Sequence, residues 1–311
     1  MIKPINLTLM HSQKLKEQVL EFIKYHDVKP ITKESYRRIL LRYVEYVEHL
    51  TEPPIRDDVK QYRDTLIKDH SANTVQKYIV VVRLFYAWLY AEGKGDNIAI
   101  NIKGPRIENT FKRESLSEKQ ARQLLEYAKK ESSKGIIEYR NFTMIALMIS
   151  TGFRTIEIER ADVSDIHFIG DSHVLYVMGK GRDEKDSYNK LSPLVYKLIE
   201  TYLMMRSDEH KPLFINHGST YKEIRLKTRS ISKIVKKYLL GINIDSKKFT
   251  AHSLRHTAAT LAMEKGADLY SAQHMLRHKN TNTTKIYLHK INRRKEKYEE
   301  IIGDDLLKGL T

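Results

Sequence analysis

The segment from Ala251 to His289 brings together side chains that suit phosphate chemistry. It carries histidine, arginine and tyrosine residues within an otherwise helical pattern: His252, Arg255, His278 and Tyr287. His252 and Arg255 are three residues apart, so a helix would project both from one face. An arginine offers a planar fork of N–H donors, an imidazole can exchange a proton, and a phenol can act as a nucleophile. The spacing therefore predicts a site that handles a phosphate ester.

Two helices are predicted to hold these side chains. In the first helix, apolar residues recur at helical spacing and predict an inward face: Leu254, Ala258, Leu261 and Ala262. Gly266 is placed to end this helix, since glycine is favoured just after a helix C-terminus. A second helix is predicted from about Leu269 to Leu276, followed by a polar turn that leads to His278.

A metal site is the alternative use of these histidines. His252 and His256 are four residues apart, the spacing of a metal-binding pair on a helix. The residues between them lack the glutamate of the usual motif, and no later carboxylate completes it. We therefore predict no metal and no cofactor, and we expect His256 to be buried or to support the site from behind.

The same segment resembles a known family. HSLRHTAATLAMEKGADL, followed by MLRHKNTNTTKIYLH, is similar to the C-terminal signature of the tyrosine recombinases, which include phage integrases and Xer-type resolvases. That signature is His-x-x-Arg, a later His, and a nucleophilic Tyr nine residues beyond it, the places of His252, Arg255, His278 and Tyr287. Arg277 departs from the pattern, because the family usually has glycine there. Arginine at this position predicts either a perturbed turn or an added phosphate contact.

Two upstream motifs extend the resemblance. TGFRTIEI resembles the family's first catalytic box, which implies that Arg154 binds the phosphate and that Glu157 supports it. An isolated Arg-x-x-Glu would otherwise be an ordinary helical ion pair. VLYVMGKGRDEKDSYNKLSP predicts a β-hairpin with glycines in its turn. The resemblance implies that Lys180 in this hairpin is the catalytic lysine, with Lys185 as the alternative if the register of the turn differs.

The chemistry that follows is cleavage of a phosphodiester without metal or ATP. Arg154 and Arg255 would neutralise the non-bridging oxygens, and Glu157 would orient the two arginines. Tyr287 would attack after losing its proton to His252, Lys180 would protonate the leaving 5′-oxygen, and His278 would donate a hydrogen bond to the phosphate. The 3′-phosphotyrosine so formed stores the bond energy for religation.

Composition agrees with a nucleic-acid partner. The chain has 311 residues with Lys+Arg 55 and Asp+Glu 39, a formal net charge of +16, and a balance this basic points to a polyanion such as double-stranded DNA. The absence of cysteine excludes disulfides, thiolate metal sites and cysteine nucleophiles. The sequence shows neither a secretory leader nor a membrane span, so we expect a cytoplasmic protein that does not bind membranes.

The predicted fold is mainly α with a small antiparallel β-sheet. We predict an N-terminal helical-bundle domain over residues 1–97, a linker over 98–115 and a mostly helical catalytic domain over 116–311. The first helix is predicted to start near Ser12 and the second near Thr32, and PLFINH is predicted to be a short strand. TKESYRRILLRYVEYV and SANTVQKYIVVVRLFYAWLY are similar to the family's core-DNA-binding domain. Five basic residues off its apolar stripes are predicted DNA contacts: Lys33, Arg37, Arg38, Lys77 and Arg83.

The function that the resemblance implies is site-specific DNA recombination. Integration or excision of a mobile element and Xer-like resolution both stay open. A type IB topoisomerase-like relaxing enzyme and a non-catalytic DNA-binding regulator are the alternatives, and a metal-dependent nuclease is disfavoured by the lack of a carboxylate cluster. The charged tail after Tyr287 carries apolar positions that need a partner surface, either on its own domain or on another protomer. We expect a homo-tetramer in the synaptic complex, as in the family.

Overall fold

The computed structural model describes residues 5–50, 52–107, 114–179, 184–218, 224–244, 248–277 and 298–308. Within these ranges the chain is mostly helical and contains a small antiparallel sheet, as predicted. The chain divides into two compact units, Met1–Thr110 and Phe111–Thr311. Ala99 and Ile102 are buried in the core of the first unit, so this part of the segment expected to be an extended linker is packed. The predicted three-part division stays a prediction.

The first unit contains four helices, α1 (Ile5–Tyr25), α2 (Pro30–Val47), α3 (Arg56–Asp69) and α4 (Ala72–Ala91). Its core includes aromatic side chains such as Phe22, Tyr43 and Phe85. The prediction that α1 starts near Ser12 is wrong, because no glycine or proline interrupts residues 5–12. Likewise α2 begins at Pro30 rather than at Thr32. Proline suits the first helical position, where its missing N–H would have had no partner.

The second unit is built on eight described helices. They are α5 (Glu118–Ser132), α6 (Ile136–Thr151), α7 (Thr155–Arg160), α8 (Pro193–Arg206), α9 (Thr228–Gly241), α10 (Ala251–Glu264), α11 (Leu269–Leu276) and α12 (Tyr298–Leu307). Residues of α5, α6, α8, α9 and α10 share one hydrophobic core with the sheet. α6 lies at the centre of this core, because its residues from Thr143 to Ile149 are all buried.

The sheet has three antiparallel strands in the order β1 (Ile166–Ile169), β2 (Ser172–Val177) and β3 (Ser187–Lys190). Leu175 of β2 pairs with Ile166 on one side and with Asn189 on the other. The predicted hairpin is therefore confirmed in its strands.

The prediction of a strand at PLFINH is wrong. This segment forms only single bridges, Asp162 with Pro212 and Ile215 with Arg225. Leu213 and Phe214 are buried in the core of the second unit. A short apolar run predicts burial as readily as it predicts strand pairing.

Among the helices that the structure describes, none is both long and apolar enough to cross a lipid bilayer.

Candidate active site

The turn between α6 and α7 places the first predicted arginine. Gly152 ends α6 in the left-handed conformation, with φ of 67°, which glycine adopts without steric cost. Its missing side chain also makes room, because a Cβ at this position would lie 2.7 Å from Leu276 Cδ2. Arg154 then stands at the N-cap of α7, and its backbone N–H donates to Glu157 Oε2 at 2.7 Å. The predicted Thr-Gly turn and the new helix begun by Arg154 are confirmed.

The carboxylate of Glu157 lies at the centre of the site and is fully buried. Arg154 Nη1 donates to Oε1 at 2.8 Å, and Arg277 Nη2 donates to Oε2 at 2.8 Å. Arg255 Nη1 lies 3.9 Å from Oε2. We call Arg154, Arg255 and Arg277 the arginine cluster. A buried carboxylate with charge-assisted donors from several elements fixes the guanidinium groups that it binds.

The electrostatics of Glu157 follow from its burial and from the cluster. Burial raises the pKa of the carboxyl, but Arg277, the backbone and side chain of Arg154, and Arg255 together outweigh burial and hold the pKa below its ordinary value. Glu157 is therefore ionised at neutral pH. Its contribution to stability is present above the pKa of the unfolded chain and is lost as the pH falls through the lower folded pKa.

Helix α10 carries the second predicted arginine and is buried on nearly all sides from Ser253 to Thr260. The sequence predicted burial of one apolar face of this helix only, so the prediction underestimates how much of α10 is buried. Small polar side chains make this burial possible, as Thr257 Oγ1 accepts from the Leu116 N–H at 2.9 Å and donates to the Ser253 carbonyl at 2.9 Å. His256 is buried, as expected.

Arg255 and His252 differ in depth although they are one helical turn apart. The side chain of Arg255 is 1% exposed, with Nη1 donating to the Gly152 carbonyl at 2.6 Å and Nη2 donating to the Leu276 carbonyl. His252 is exposed, and its ring centroid lies 4.6 Å from that of His256. The same helix thus offers an imidazole at the surface and a guanidinium in the interior.

Arg277 and Asn189 belong to the site, but only Arg277 was singled out by a signal in the sequence. Arg277 ends α11 in the left-handed conformation, with φ of 53°, the kind of backbone for which glycine is the usual residue. Its Nη1 donates to Asn189 Oδ1 and to the Met275 carbonyl. Asn189 Nδ2 donates to the Thr151 carbonyl at 2.8 Å and to the Met275 carbonyl at 3.1 Å. The departure from glycine was the signal at Arg277, whereas nothing in the sequence singled out Asn189.

Of the two candidate lysines in the hairpin, only Lys185 lies among the described residues. Lys185 Nζ donates to Asp162 Oδ2 at 2.8 Å and to Asp165 Oδ2 at 2.5 Å. Burial lowers the pKa of Lys185, but the hydrogen bonds to the two aspartates outweigh burial and raise it above its ordinary value. A lysine held this way is a poor proton donor, so Lys185 is disfavoured as the catalytic lysine. Lys180 lies outside the described residues.

The remaining predicted residues divide into two groups. His278 and Tyr287 lie outside the described residues, so their roles stay predictions. In the first unit the predicted DNA contacts are exposed at Arg37, Arg38, Lys77 and Arg83 and half-buried at Lys33. Among the described residues, no three histidine, aspartate or glutamate side chains are grouped so that they could hold a metal ion.

Replacing Gly152 by alanine is expected to destabilise the second unit. The left-handed backbone should cost an L-residue about 1–2 kcal/mol, and the new Cβ, 2.7 Å from Leu276 Cδ2, should add about 1–3 kcal/mol of overpacking. Gly170→Ala is the matched control. Gly170 also has a left-handed backbone, with φ of 61°, but a Cβ at this position would have no other atom within 4 Å. Urea unfolding of both variants measures the difference, and equal losses of stability would contradict a tight contact at Gly152.

Comparisons with known proteins agree on one family. The phage integrase family model matches residues 114–294, and the phage integrase N-terminal SAM-like domain matches residues 17–93. Tyrosine recombinase XerD of Staphylococcus epidermidis is 30% identical over 287 residues, covering 88% of this chain and 92% of that protein. Tyrosine recombinase XerA of Pyrococcus furiosus is 28% identical over 279 residues, covering 89% and 91%.

Solved structures share the fold. The XerH site-specific recombinase, bound to palindromic difH substrate in a post-cleavage complex, superposes with a TM-score of 0.75 at 21% identity, covering 94% of this chain and 85% of that chain. The Tn1549 transposon integrase in complex with a circular intermediate DNA superposes with a TM-score of 0.69 at 16% identity, covering 88% and 94%.

Proposed function

This chain belongs to the phage integrase family of tyrosine recombinases, enzymes that cleave and rejoin DNA at specific sites, and we propose a role for each residue of its site in that reaction. The observation that carries the assignment is the buried Glu157 carboxylate with Arg154 and Arg255 beside it. The resemblance assigns these two arginines to the scissile phosphate. A carboxylate that holds both of them preorganises positive charge where the transition state develops negative charge.

Arg154 and Arg255 bind the phosphate in different ways in this proposal. The Arg154 side chain is 25% exposed, so it can donate to a phosphate oxygen while Glu157 holds it. The guanidinium of Arg255 is turned towards the Gly152 and Leu276 carbonyls. For Arg255 to contact the phosphate, it must exchange the Leu276 carbonyl for a phosphate oxygen, and DNA binding drives that exchange.

The covalent step transfers the 3′-phosphoryl group of one DNA strand from the 5′-oxygen of the next nucleotide to the protein. The Tyr287 Oη loses its proton to His252 and attacks phosphorus, so that a P–Oη bond forms while the bond from phosphorus to the 5′-oxygen breaks. Lys180 protonates the leaving 5′-oxygen, and His278 donates a hydrogen bond to the phosphate. The 5′-hydroxyl of a second duplex then attacks the 3′-phosphotyrosine and releases Tyr287. Each of the two steps forms one P–O bond and breaks one P–O bond, so neither ATP nor a cofactor is consumed.

The basic surface of the first unit supports contact with the DNA backbone. Arg37 and Arg38 are exposed on α2, and Lys77 Nζ of α4 donates to Ser35 Oγ of α2 at 2.7 Å, which places Lys77 beside the same helix. Together with Lys33 and Arg83 they are proposed to contact phosphates, a contact that positions a protein on DNA without reading its sequence. The proposed partner is double-stranded DNA, and the proposed compartment is the cytoplasm.

The C-terminal helix supports assembly on the DNA. α12 exposes four large apolar side chains, Ile301, Ile302, Leu306 and Leu307. Exposed apolar positions on a helix favour docking on another surface. We propose that α12 docks on a second copy of the chain and that four copies form the synaptic complex. Packing of α12 on its own domain is the competing arrangement, which sedimentation of the protein with its DNA, with and without residues 293–311, distinguishes.

The experiment that tests the function starts from the covalent intermediate. DNA that is covalently attached to the protein in cells should be recovered under denaturing conditions and sequenced. We expect one short recurring sequence, and we expect two duplexes that carry it to yield joined products with purified protein, whereas duplexes with the same bases in scrambled order do not. Sequencing of the joined cellular DNA then distinguishes resolution from integration or excision. Trapped DNA without a common sequence, together with relaxation of supercoils alone, would contradict the proposal and favour a topoisomerase.

A further inference from the structure

Arg277 replaces a glycine of the family pattern, and its surroundings are those of a functional residue. A non-glycine residue in the left-handed conformation is strained, and the contacts of the side chain offset that strain. The Arg277 side chain is only 13% exposed, and its guanidinium carbon lies 4.9 Å from the centroid of the Phe153 ring. Its Nη1 and Nη2 groups donate to Asn189, Met275 and Glu157. With its fork engaged by the protein, Arg277 can act on the reaction through other residues.

We propose that Arg277 is a positioning residue for strand cleavage, which holds Glu157 and through it Arg154, and which fixes the end of α11 against the turn that carries Arg154. This inference rests on the proposed function. It adds a residue to the site that the resemblance does not supply, because the family pattern has glycine at this place.

The first part of the argument is the connection that Arg277 makes. Its Nη2 binds the carboxylate oxygen that also accepts the backbone N–H of Arg154. Its Nη1 binds Asn189, which holds the ends of both α6 and α11 through the Thr151 and Met275 carbonyls. Arg277 therefore joins the turn that carries Arg154 to the end of α11. A change at Arg277 should therefore alter the position of the Arg154 guanidinium relative to the end of α11.

The second part is the balance of charge. The arginine cluster contributes three positive charges and Glu157 one negative charge, which leaves two positive charges among these four groups. A phosphodiester carries one negative charge and its pentacoordinate transition state carries two, so the four groups match the transition state better than the ground state. Without Arg277 only one positive charge would remain, and the match would favour the ground state.

The third part is the protonation of Glu157. Within the part of the chain that the structure describes, the charged groups that face its carboxylate are Arg154 from the start of α7, Arg255 from α10 and Arg277 from the end of α11. The charge of Arg277 is the largest single effect that opposes burial and lowers the pKa of Glu157, and the backbone N–H and charge of Arg154 and the charge of Arg255 add to it. Loss of Arg277 should therefore raise the pKa of Glu157, and the carboxyl should take up a proton at a higher pH than in the wild type.

The test compares four variants: Arg277→Gly, Arg277→Met, Arg277→Lys and the control Arg122→Met, which removes an equally charged side chain that is 70% exposed on α5. Single-turnover cleavage of the trapped DNA sequence is measured against pH. Arg277→Gly and Arg277→Met should cleave about 10–100-fold more slowly, the range for a residue that orients a catalytic group, with little change in DNA affinity. The acidic limb of their pH–rate profiles, where cleavage slows as the solution becomes more acidic, should move to higher pH. Arg277→Lys should cleave more slowly than the wild type, but the pH of its acidic limb should lie closer to the wild-type value. Arg122→Met should match the wild type in both rate and pH dependence.

Arg277→Gly is the decisive variant, because glycine relieves the left-handed backbone while it removes the guanidinium. A wild-type rate and an unmoved acidic limb in Arg277→Gly would show that the position matters only for the turn and would overturn the proposal. The double variant Glu157→Gln/Arg277→Met should lose the shifted limb, since it has no carboxyl to titrate. An acidic limb of the double variant that stays at the higher pH seen for Arg277→Met would also overturn the proposal.

A second readout needs no DNA. On acidification, Arg277→Met should lose less thermal stability than the wild type, and its loss should end at a higher pH, because the raised folded pKa of Glu157 lies closer to that of the unfolded chain. If the wild type fails to cleave the trapped DNA, the proposed function fails while this stability shift still tests the contact between Arg277 and Glu157. If the wild type cleaves and neither readout moves, the inference about Arg277 alone is wrong.

Discussion

Replacing Tyr287 by phenylalanine is expected to abolish covalent attachment of the protein to DNA. The substitution deletes only the phenol oxygen that would form the bond to phosphorus, so no cleavage should remain above background. DNA affinity should stay within about tenfold of the wild type, because one hydrogen bond contributes about 0.5–1.5 kcal/mol. Nicked duplexes that lose their 5′-hydroxyl strand on cleavage trap the intermediate, which appears as a protein–DNA band on a denaturing gel.

The matched control for this experiment is Tyr270→Phe. Tyr270 lies on α11 with 75% of its surface exposed, so loss of its hydroxyl should leave both binding and the covalent band unchanged. A covalent band that survives in Tyr287→Phe would remove Tyr287 from the role of nucleophile. The band would then be mapped to its residue by digestion of the trapped complex, which identifies the actual nucleophile.

Replacing Glu157 by glutamine is expected to destabilise the second unit strongly. The substitution leaves Arg154, Arg255 and Arg277 without their counter-charge, and two of these side chains are 1% and 13% exposed. Removal of one partner from a buried ion pair typically costs about 3–5 kcal/mol, since the remaining charge is left uncompensated. Urea unfolding at neutral pH should show this loss, and cleavage activity should fall with it.

One control variant and the pH dependence of the stability difference separate this effect from a general loss of negative charge. Glu126→Gln removes an exposed carboxylate on α5, and it should change the free energy of unfolding by no more than about 0.5 kcal/mol. Because the pKa of Glu157 lies below its ordinary value, the stability difference between the wild type and Glu157→Gln should be largest at neutral pH. It should shrink as the pH falls through the folded pKa of the carboxyl. Equal stability of the two proteins at neutral pH would contradict the ion-pair network.

The sequence by itself determined those features whose causes are local. α11 runs from Leu269 to Leu276 as predicted, and the turn at Gly152 and the start of α7 at Arg154 follow their signals within a few residues. Caps, glycines at left-handed positions and helical spacing act between neighbours in the chain, so they can be recognised without knowledge of the fold. The family resemblance worked for the same reason, because its motifs are short and ordered.

The tertiary structure decided which side chains meet across the chain. Arg277 and Glu157 are 120 residues apart, and Asn189 lies 88 residues from Arg277, so no local rule relates them. The depth of Arg255 also depended on packing, because a stripe of apolar residues cannot reveal that a helix is surrounded on nearly all sides. The hydrogen bonds from Lys185 to Asp162 and Asp165 likewise depend on the tertiary structure, because they join residues about twenty positions apart in the chain. A buried charge is placed by the partners that compensate its lost hydration, and the fold alone brings those partners together.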